Sequence, residues 1–405
     1  MTTLANSIAT LAILYLFFPL RGVYPKTMQS DIEVLRSLKQ AIDPTSISPS
    51  SFLNTWDFQS DPCESSGGQF LGILCTIPLD NSTSRVTTIA LVREGYDGFL
   101  TPGIGNLTEL TALDLGNNHF RGPIPDTISN LRKLTQLSLS QNDFTGVISD
   151  TIGSLRMLET LELSHNRLSG SIPASMSGFQ RLTSLRLSNN GLSGSIPNLA
   201  GLWRLNMLDL SMNQLYGGLP RLPKTLKGLS LSHNILSGNV SQIHNLDQLQ
   251  ALDLSDNRFS GSISDKLLML PVVVRINVSR NRFTELRVSS FMGRTTQLQD
   301  LDAQRNSLRG HLPLNLVTAN KLRSINLAYN QLSGPIPREY GVKPWTGIFL
   351  DHNFLTGIIP DGFGSHQKVG NRGSLAHNCL HCPSTVQLCD GGQRAASICG
   401  GQRGV

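Results

Sequence analysis

Residues 158–173 read LETLELSHNRLSGSIP, and close variants return about every 24 residues, as LTALDLGNNHFRGPIP from Leu110, LTSLRLSNNGLSGSIP from Leu182 and LRSINLAYNQLSGPIP from Leu322. Aligned on its asparagine, the pattern L-x-x-L-x-L-x-x-N-x-L/F recurs at Asn118, Asn142, Asn166, Asn190, Asn213, Asn234, Asn257, Asn281, Asn306, Asn330 and Asn353, eleven repeats at steps of 21 to 25 residues. A fixed period of this length dictates a stacked coil, because one unit cannot bury its apolar face alone and neighbours must cover it. An atypical leading turn, VTTIALVREGY from Val86, and a decayed exit turn, GSLAHNCL from Gly373, fit the ends of such a stack, where the core needs cover on one side only.

Within a repeat the spacing assigns the roles. Leu161 and Leu163 alternate with Glu162, the period-2 signature of a short strand. Leu158, Leu161, Leu163 and Leu168 then face inward and stack on their equivalents in the next repeat. Asn166 stands where the chain leaves the strand, and an amide both donates and accepts, so a ladder of asparagines can satisfy backbone groups that the turns leave unpaired. The following LSGSIP supplies a glycine for a bend and a proline that ends strand pairing. Two turns depart from the pattern: LYGGLPRLPKTLKGL after Asn213 is short, and FTELRVSSF after Asn281 lacks the glycine motif. Both are expected to disturb the curvature locally.

The ends point to the secretory pathway. Residues 1–23 contain the apolar run LAILYLFFPL, too short for a comfortable membrane span, and read as a signal peptide, with an uncleaved anchor as the other reading. The six cysteines avoid the repeats: Cys63 and Cys75 precede them, and Cys379, Cys382, Cys389 and Cys399 follow. Staples on terminal caps, formed in an oxidising compartment, account for that distribution. Cys63 is expected to pair with Cys75. The last four allow three pairings, and Cys382–Cys389 with Cys379–Cys399 is taken without a feature that selects it. Zinc is rejected because the spacing after Cys382 is irregular. Sequons at Asn81, Asn106, Asn239 and Asn277 agree with secretion. The organisation expected is a signal peptide over 1–23, an N-terminal helical cap over 24–84, a solenoid over 85–360, and a C-terminal cap with a short tail over 361–405. The formal charge of +6 is scattered, with only 15% charged residues, so nucleic-acid binding is not expected.

The segments SGSIP, SGPIP and TGIIP after the ladder asparagine make the chain resemble the plant-type leucine-rich repeat of receptor-like kinases, receptor-like proteins and polygalacturonase-inhibiting proteins. The N-terminal region is similar too: SDIEVLRSLKQAI reads as a helix opened by a capping box at Ser30 and Glu33, followed by FLNTWDFQSDPC and FLGILC. Those families usually carry a Trp and a shorter cysteine interval there. This chain has Phe70 and eleven residues between Cys63 and Cys75, a variant cap. The resemblance covers about residues 29–392. It implies an α/β leucine-rich-repeat solenoid, a right-handed superhelix with a parallel sheet on its concave face and disulfide-stapled caps.

Chemistry is sparse on this scaffold. The column between the core leucines reads Asp114, Ser138, Glu162, Arg186, Asp209, Ser230, Asp253, Asn277, Asp302, Asn326 and Phe349. Strands about 4.8 Å apart separate acids on alternate repeats by about 10 Å, wide even for an inverting glycosidase at about 6.5–9.5 Å. His165, His233 and His352 share another column, but the closest two are about 14 Å apart by the same spacing, too far for a common metal ion. No nucleophile elbow or phosphate-cradling loop is present, so neither enzyme activity nor a cofactor is expected.

The best lead is the residue just before the ladder asparagine. That column reads Asn117, Gln141, His165, Asn189, Met212, His233, Asp256, Arg280, Arg305, Tyr329 and His352. Its last four members are of types found at binding hot spots, and Arg275 and Phe349 lie near them on the concave face. These six residues form the expected binding stripe. Family receptors for small peptide hormones often carry an R-x-R pair across the strand, and here the matching positions are Arg275 and Asn277, half of it. A glycan on Asn277 would stand beside the stripe. The expectation is a secreted or cell-surface protein, in the extracellular space, cell wall or outer face of the plasma membrane. It binds an extracellular protein or peptide, with a receptor-kinase ectodomain as one candidate. Little sequence follows the exit turn, so a receptor-like chain without a kinase is expected. The alternative is an inhibitor of a wall-degrading hydrolase, which as the resemblance implies would use Asp209, Asp253 and Asp302 against a basic target.

Overall fold

The computed structural model describes residues 26–64, 68–76, 82–288, 296–363, 372–383 and 385–399. The expected signal peptide and the Asn81 sequon lie outside them. Short strands, three residues each from Ala112–Asp114 through Gly347–Phe349, stack into the inner sheet, which has fourteen strands. Every pairing in it is parallel except the first, where Ile73–Cys75 runs antiparallel to Val86–Ala90. The register sets like on like: Leu113 lies beside Leu137, Leu137 beside Leu161 and Leu161 beside Leu185, all fully buried. Each such leucine contributes about 1.5–3 kcal/mol by leaving water, which is why the repeat preserves it.

The asparagine ladder does what its chemistry allows. Asn257 donates from Nδ2 to the carbonyls of Leu231, Leu254 and Ser255 at 2.8, 3.2 and 3.1 Å, and its Oδ1 accepts the N–H of Leu236 at 3.0 Å. One amide thus ties a strand end to its own turn and to the preceding repeat. Asn378 repeats the arrangement on the carbonyls of Leu350, Leu375 and Ala376 and the N–H of Leu355. The coil therefore runs a turn past the boundary expected at residue 360, because the decayed exit repeat keeps its ladder asparagine.

Beyond each asparagine the chain forms a second set of strands on the flank of the coil. Most of them bend at the motif glycine, as at Gly170, φ +74°, a left-handed conformation that a side chain there would strain. These flank strands form one nine-stranded sheet ending at Arg282–Leu286 and one four-stranded sheet starting at Arg309–Gly310. The break falls at the repeat without the glycine motif, as its sequence suggests. The convex side carries short 3-10 turns, among them Asp126–Asn130, Asp150–Ser154 and Ala174–Gly178. After Asn213 no such turn forms before the strand Gly228–Ser230, the consequence of the short repeat.

The N-terminal cap corrects one expectation. Helix α1 (Gln29–Gln40) is preceded by Met28 and has no side-chain cap. Ser30 instead donates to the Asp31 carboxylate at 3.4 Å, and Glu33 accepts from the Gln29 amide at 3.3 Å, so the capping box does not form. What fixes the helix is Asp31, fully buried, which takes a two-pronged ion pair from Arg85 at 2.9 and 3.1 Å and the N–H of Val86 at 2.9 Å. Phe70, in the position where the resemblance leads one to expect Trp, stacks on the buried Trp56 at 6.1 Å between ring centroids. Disulfides join Cys63 to Cys75, Cys379 to Cys399 and Cys382 to Cys389.

Candidate functional site

The column before the ladder asparagine has a backbone property that its composition does not announce. From Asn117 to His377 every member has a left-handed φ, between +51° at Arg280 and +60° at Asn117. In this conformation the chain swings its side chain out at the end of the inner strand while the next residue, the asparagine, turns inward. Asn, Asp and His tolerate it best among residues with a Cβ, and they fill over half of the column (Asn117, His165, Asn189, His233, Asp256, His352, His377). That enrichment is the signal sequence reasoning passed over. It also means that the left-handed backbone belongs to every repeat and marks no site by itself.

The side chains distinguish the C-terminal end. The Arg305 guanidinium lies over the Tyr329 ring at 4.3 Å, Tyr329 stacks on His352 with centroids 3.9 Å apart and planes at 11°, and His352 meets His377 at 4.3 Å. Four consecutive repeats thus carry a continuous stack of one cation and three rings. The strand spacing of about 4.8 Å is close to the stacking distance of planar groups, so a parallel coil builds such a ladder wherever it places planar side chains in one column. Arg305, Tyr329 and His377 are exposed; His352 is half-buried and its Nδ1 is 2.8 Å from the Asp351 carboxylate. His377, at the end of the stack, is a member the repeat count missed. Its signal was the LAHN that aligns with LDHN one repeat earlier.

Two expected members stand apart. Arg280 pairs with Asp256 at 3.4 Å, and the same carboxylate lies 3.5 Å from His233 Nε2. Arg275 pairs with Asp300, its neighbour across the inner sheet, at 3.3 Å. Both are exposed, so water screens these pairs and each is worth at most about 1 kcal/mol, but their charge is partly balanced. Phe349 is half-buried on the concave strand Gly347–Phe349. The structure brings Arg305, Tyr329 and His352 into one contact chain and joins neither Arg280 nor Arg275 to it.

The concave aspartates have backbone partners. Asp114, Asp209, Asp253 and Asp302 each accept the N–H two residues on, at 2.9 to 3.1 Å, and Asn277 and Asn326 do the same at 3.1 and 3.2 Å. These six positions form Asx turns that close their inner strands. Asp302 differs in one respect: burial pushes its carboxyl above the usual carboxylate range, with the charge of Asp253 adding to the shift and hydrogen bonds from Gln304 and Asn326 opposing it. Among the sequons, Asn106 and Asn239 are exposed, whereas Asn277 is half-buried with its Oδ1 taken by the N–H and hydroxyl of Ser279. Among the described residues no group of three or more His, Cys, Asp or Glu is placed to hold a metal ion, and no helix is long and apolar enough to cross a membrane.

Comparison with known proteins agrees with the geometry. The Leucine rich repeat N-terminal domain matches residues 28–76, and Leucine rich repeat families match 109–131, 141–192, 248–270 and 321–341. The repeats are leucine-rich repeats. The leucine-rich-repeat chain is 35% identical over 106 residues to a probable leucine-rich repeat receptor-like protein kinase of Arabidopsis thaliana, a match covering 26% of this chain and 10% of that one. It therefore spans only a tenth of that relative's length. Among solved structures it resembles the Arabidopsis receptor kinase HAESA in complex with the peptide hormone IDA and the co-receptor SERK1, at 26% identity and TM-score 0.64 over 87% of this chain and 66% of that one. A plant ice-binding protein shares the fold over 90% of this chain and 99% of its own, at 22% identity and TM-score 0.51. The extracellular parts of plant receptors are thus what the leucine-rich-repeat chain is similar to, and the fold alone does not name a ligand.

Proposed function

We propose that this protein is a recognition module of extracellular signalling, binding a protein or peptide along the rim of its last four repeats. The observation that carries the reading is the stack of Arg305, Tyr329, His352 and His377. Rigid, preformed planar groups with exposed edges bind at little conformational cost, and Arg and Tyr are over-represented where interface energy concentrates. The likeness to a receptor that holds a peptide hormone and a co-receptor supports the same reading. The partner that fits is an anionic or aromatic peptide segment, presented alone or by a receptor-kinase ectodomain. The acids that a hydrolase inhibitor would offer are tied into Asx turns, which favours the first reading over the second.

The test is a cross-linking capture from extracellular and membrane fractions with the mature protein as bait and Arg305→Glu/Tyr329→Ala as control. Capture of a receptor ectodomain or a peptide that falls at least tenfold with the variant is expected. Capture of a wall hydrolase that survives the substitutions would overturn the proposal in favour of the inhibitor.

A further inference from the structure

The convex side of the coil carries a groove that the rim stack does not use. From Pro102 to Gly178 this side is a regular row of 3-10 turns, and it resumes at Ser241–Asn245. Between these the repeats after Asn190 and Asn213 form none, and a groove of about 440 Å³ opens across the gap. Its walls include Trp203, Leu222 and Leu246, and its rim carries Arg221, Lys224 and Gln242. The volume falls within the range of about 300–1,000 Å³ of ligand pockets, which pair apolar walls with a few polar groups.

The charge is one-sided. None of the lining residues is acidic. Arg221 and Lys224 are exposed, and neither forms an ion pair among the described residues, unlike Arg275 and Arg280 on the rim. Trp203 is 56% exposed, whereas Trp56 and Trp345 are each 1% exposed. The Arg204 guanidinium sits over the Trp203 ring at 4.6 Å and adds a further cation beside the groove. A single exposed aromatic needs no explanation. An exposed Trp at the mouth of an apolar groove, with unpaired cations and no acid on its rim, does.

We propose that this groove binds an acidic peptide segment bearing one apolar anchor residue. The anchor side chain lies against Trp203 and Leu222, flanking carboxylates meet Arg221 and Lys224, and the Gln242 amide pairs with the peptide backbone. The groove is separate from the rim stack, so this inference stands or falls independently of the reading given above.

Trp203 supplies the measurement, since its emission is the one that solvent and ligand reach. The intact protein is titrated with N-acetyl-Asp-Glu-Phe-Asp-Glu-amide while intrinsic fluorescence is followed. A saturable blue shift is expected, lost in Trp203→Phe and weakened at least tenfold in Arg221→Gln/Lys224→Gln, which removes charge without adding any. Arg305→Glu, which disables the rim, leaves the titration unchanged. Absence of a shift, equal binding by the Lys-Arg-Phe-Lys-Arg analogue, or displacement by a trimeric uronic acid at lower concentration than the peptide each overturns the proposal. The last result would assign the groove to an acidic sugar instead.

Discussion

At Asn257 a single amide meets four backbone groups drawn from two repeats, and replacing it removes all four partners at once. A buried group left without a partner costs about 1–3 kcal/mol. Asn257→Leu is therefore expected to lose about 3 kcal/mol or more, read as a drop of several degrees in melting temperature; an unchanged value would remove the ladder from the account of stability. Asp302 makes the opposite case. Its folded carboxyl titrates above the ordinary value of 3.8 because burial disfavours the charge. A carboxyl with a raised folded pKa destabilises the fold at neutral pH, and that penalty fades as pH falls through the folded value. Neighbouring repeats already carry Asn277 and Asn326 at this position, each accepting the same backbone N–H. Asp302→Asn should therefore melt higher than the parent at about pH 7, and the gap should close below about pH 4. A variant that melts lower at neutral pH would show that the charge is wanted where it stands.

Short elements explain what the sequence disclosed and what it withheld. Inner strands were legible because a period of two and a ladder residue are local patterns, repeated often enough to average out exceptions. The Asx turns were legible in principle, since Asp253 and Ser255 or Asn277 and Ser279 stand two apart in the text, but the same acids read equally well as a solvated face. The start of α1 was not legible. The motif at Ser30 and Glu33 is present, yet Thr27 bridges to Ser84 and sets where the chain enters, while Asp31 is claimed by Arg85, 54 residues away. No local pattern contains that partner. The rim stack falls between these cases: its residue types were visible, but contact between them depends on a left-handed backbone and a stacking distance that only the coil supplies. The clamp at the cap is open to test. Asp31→Ala leaves Arg85 without its partner at a site where the Asp31 side chain is fully buried and that of Arg85 only 19% exposed. Loss of one member of such a pair is expected to cost about 3–5 kcal/mol. Limited proteolysis should then cut within residues 29–64 before it cuts the central repeats. Equal resistance in variant and parent would mean that the Cys63–Cys75 bond and the Trp56 core hold the cap without the clamp.

Across the whole molecule, stability is a sum of contacts between neighbours, because each repeat touches only the one before and the one after. The inner sheet is continuous from Ile73–Cys75 to Gly373–Ser374, whereas the flank strands divide between Arg282–Leu286 and Arg309–Gly310. The two sides of the coil are thus coupled differently at that repeat: core and ladder carry through, whereas the outer strand pairing is interrupted and the Ser307 N–H still reaches the Phe283 carbonyl at 2.9 Å. Arg309–Gly310 is a two-residue strand paired only on its C-terminal side, to Gln331–Pro335, while Arg167–Ser171 is paired on both. Exchange of backbone amides for deuterium reads this difference directly, since an amide exchanges when its local hydrogen bonds open. Amides of the inner strands on both sides of the break should be protected alike. Those at Arg309 and Gly310 should exchange faster than those of Arg167–Ser171. The rim stack begins at Arg305, just beyond the break, so the recognition end of the coil would then be able to adjust its flank while its concave face stays rigid. Equal protection of the two flank strands would show that the inner sheet and ladder alone set local stability, and that the break in the outer sheet has no energetic consequence.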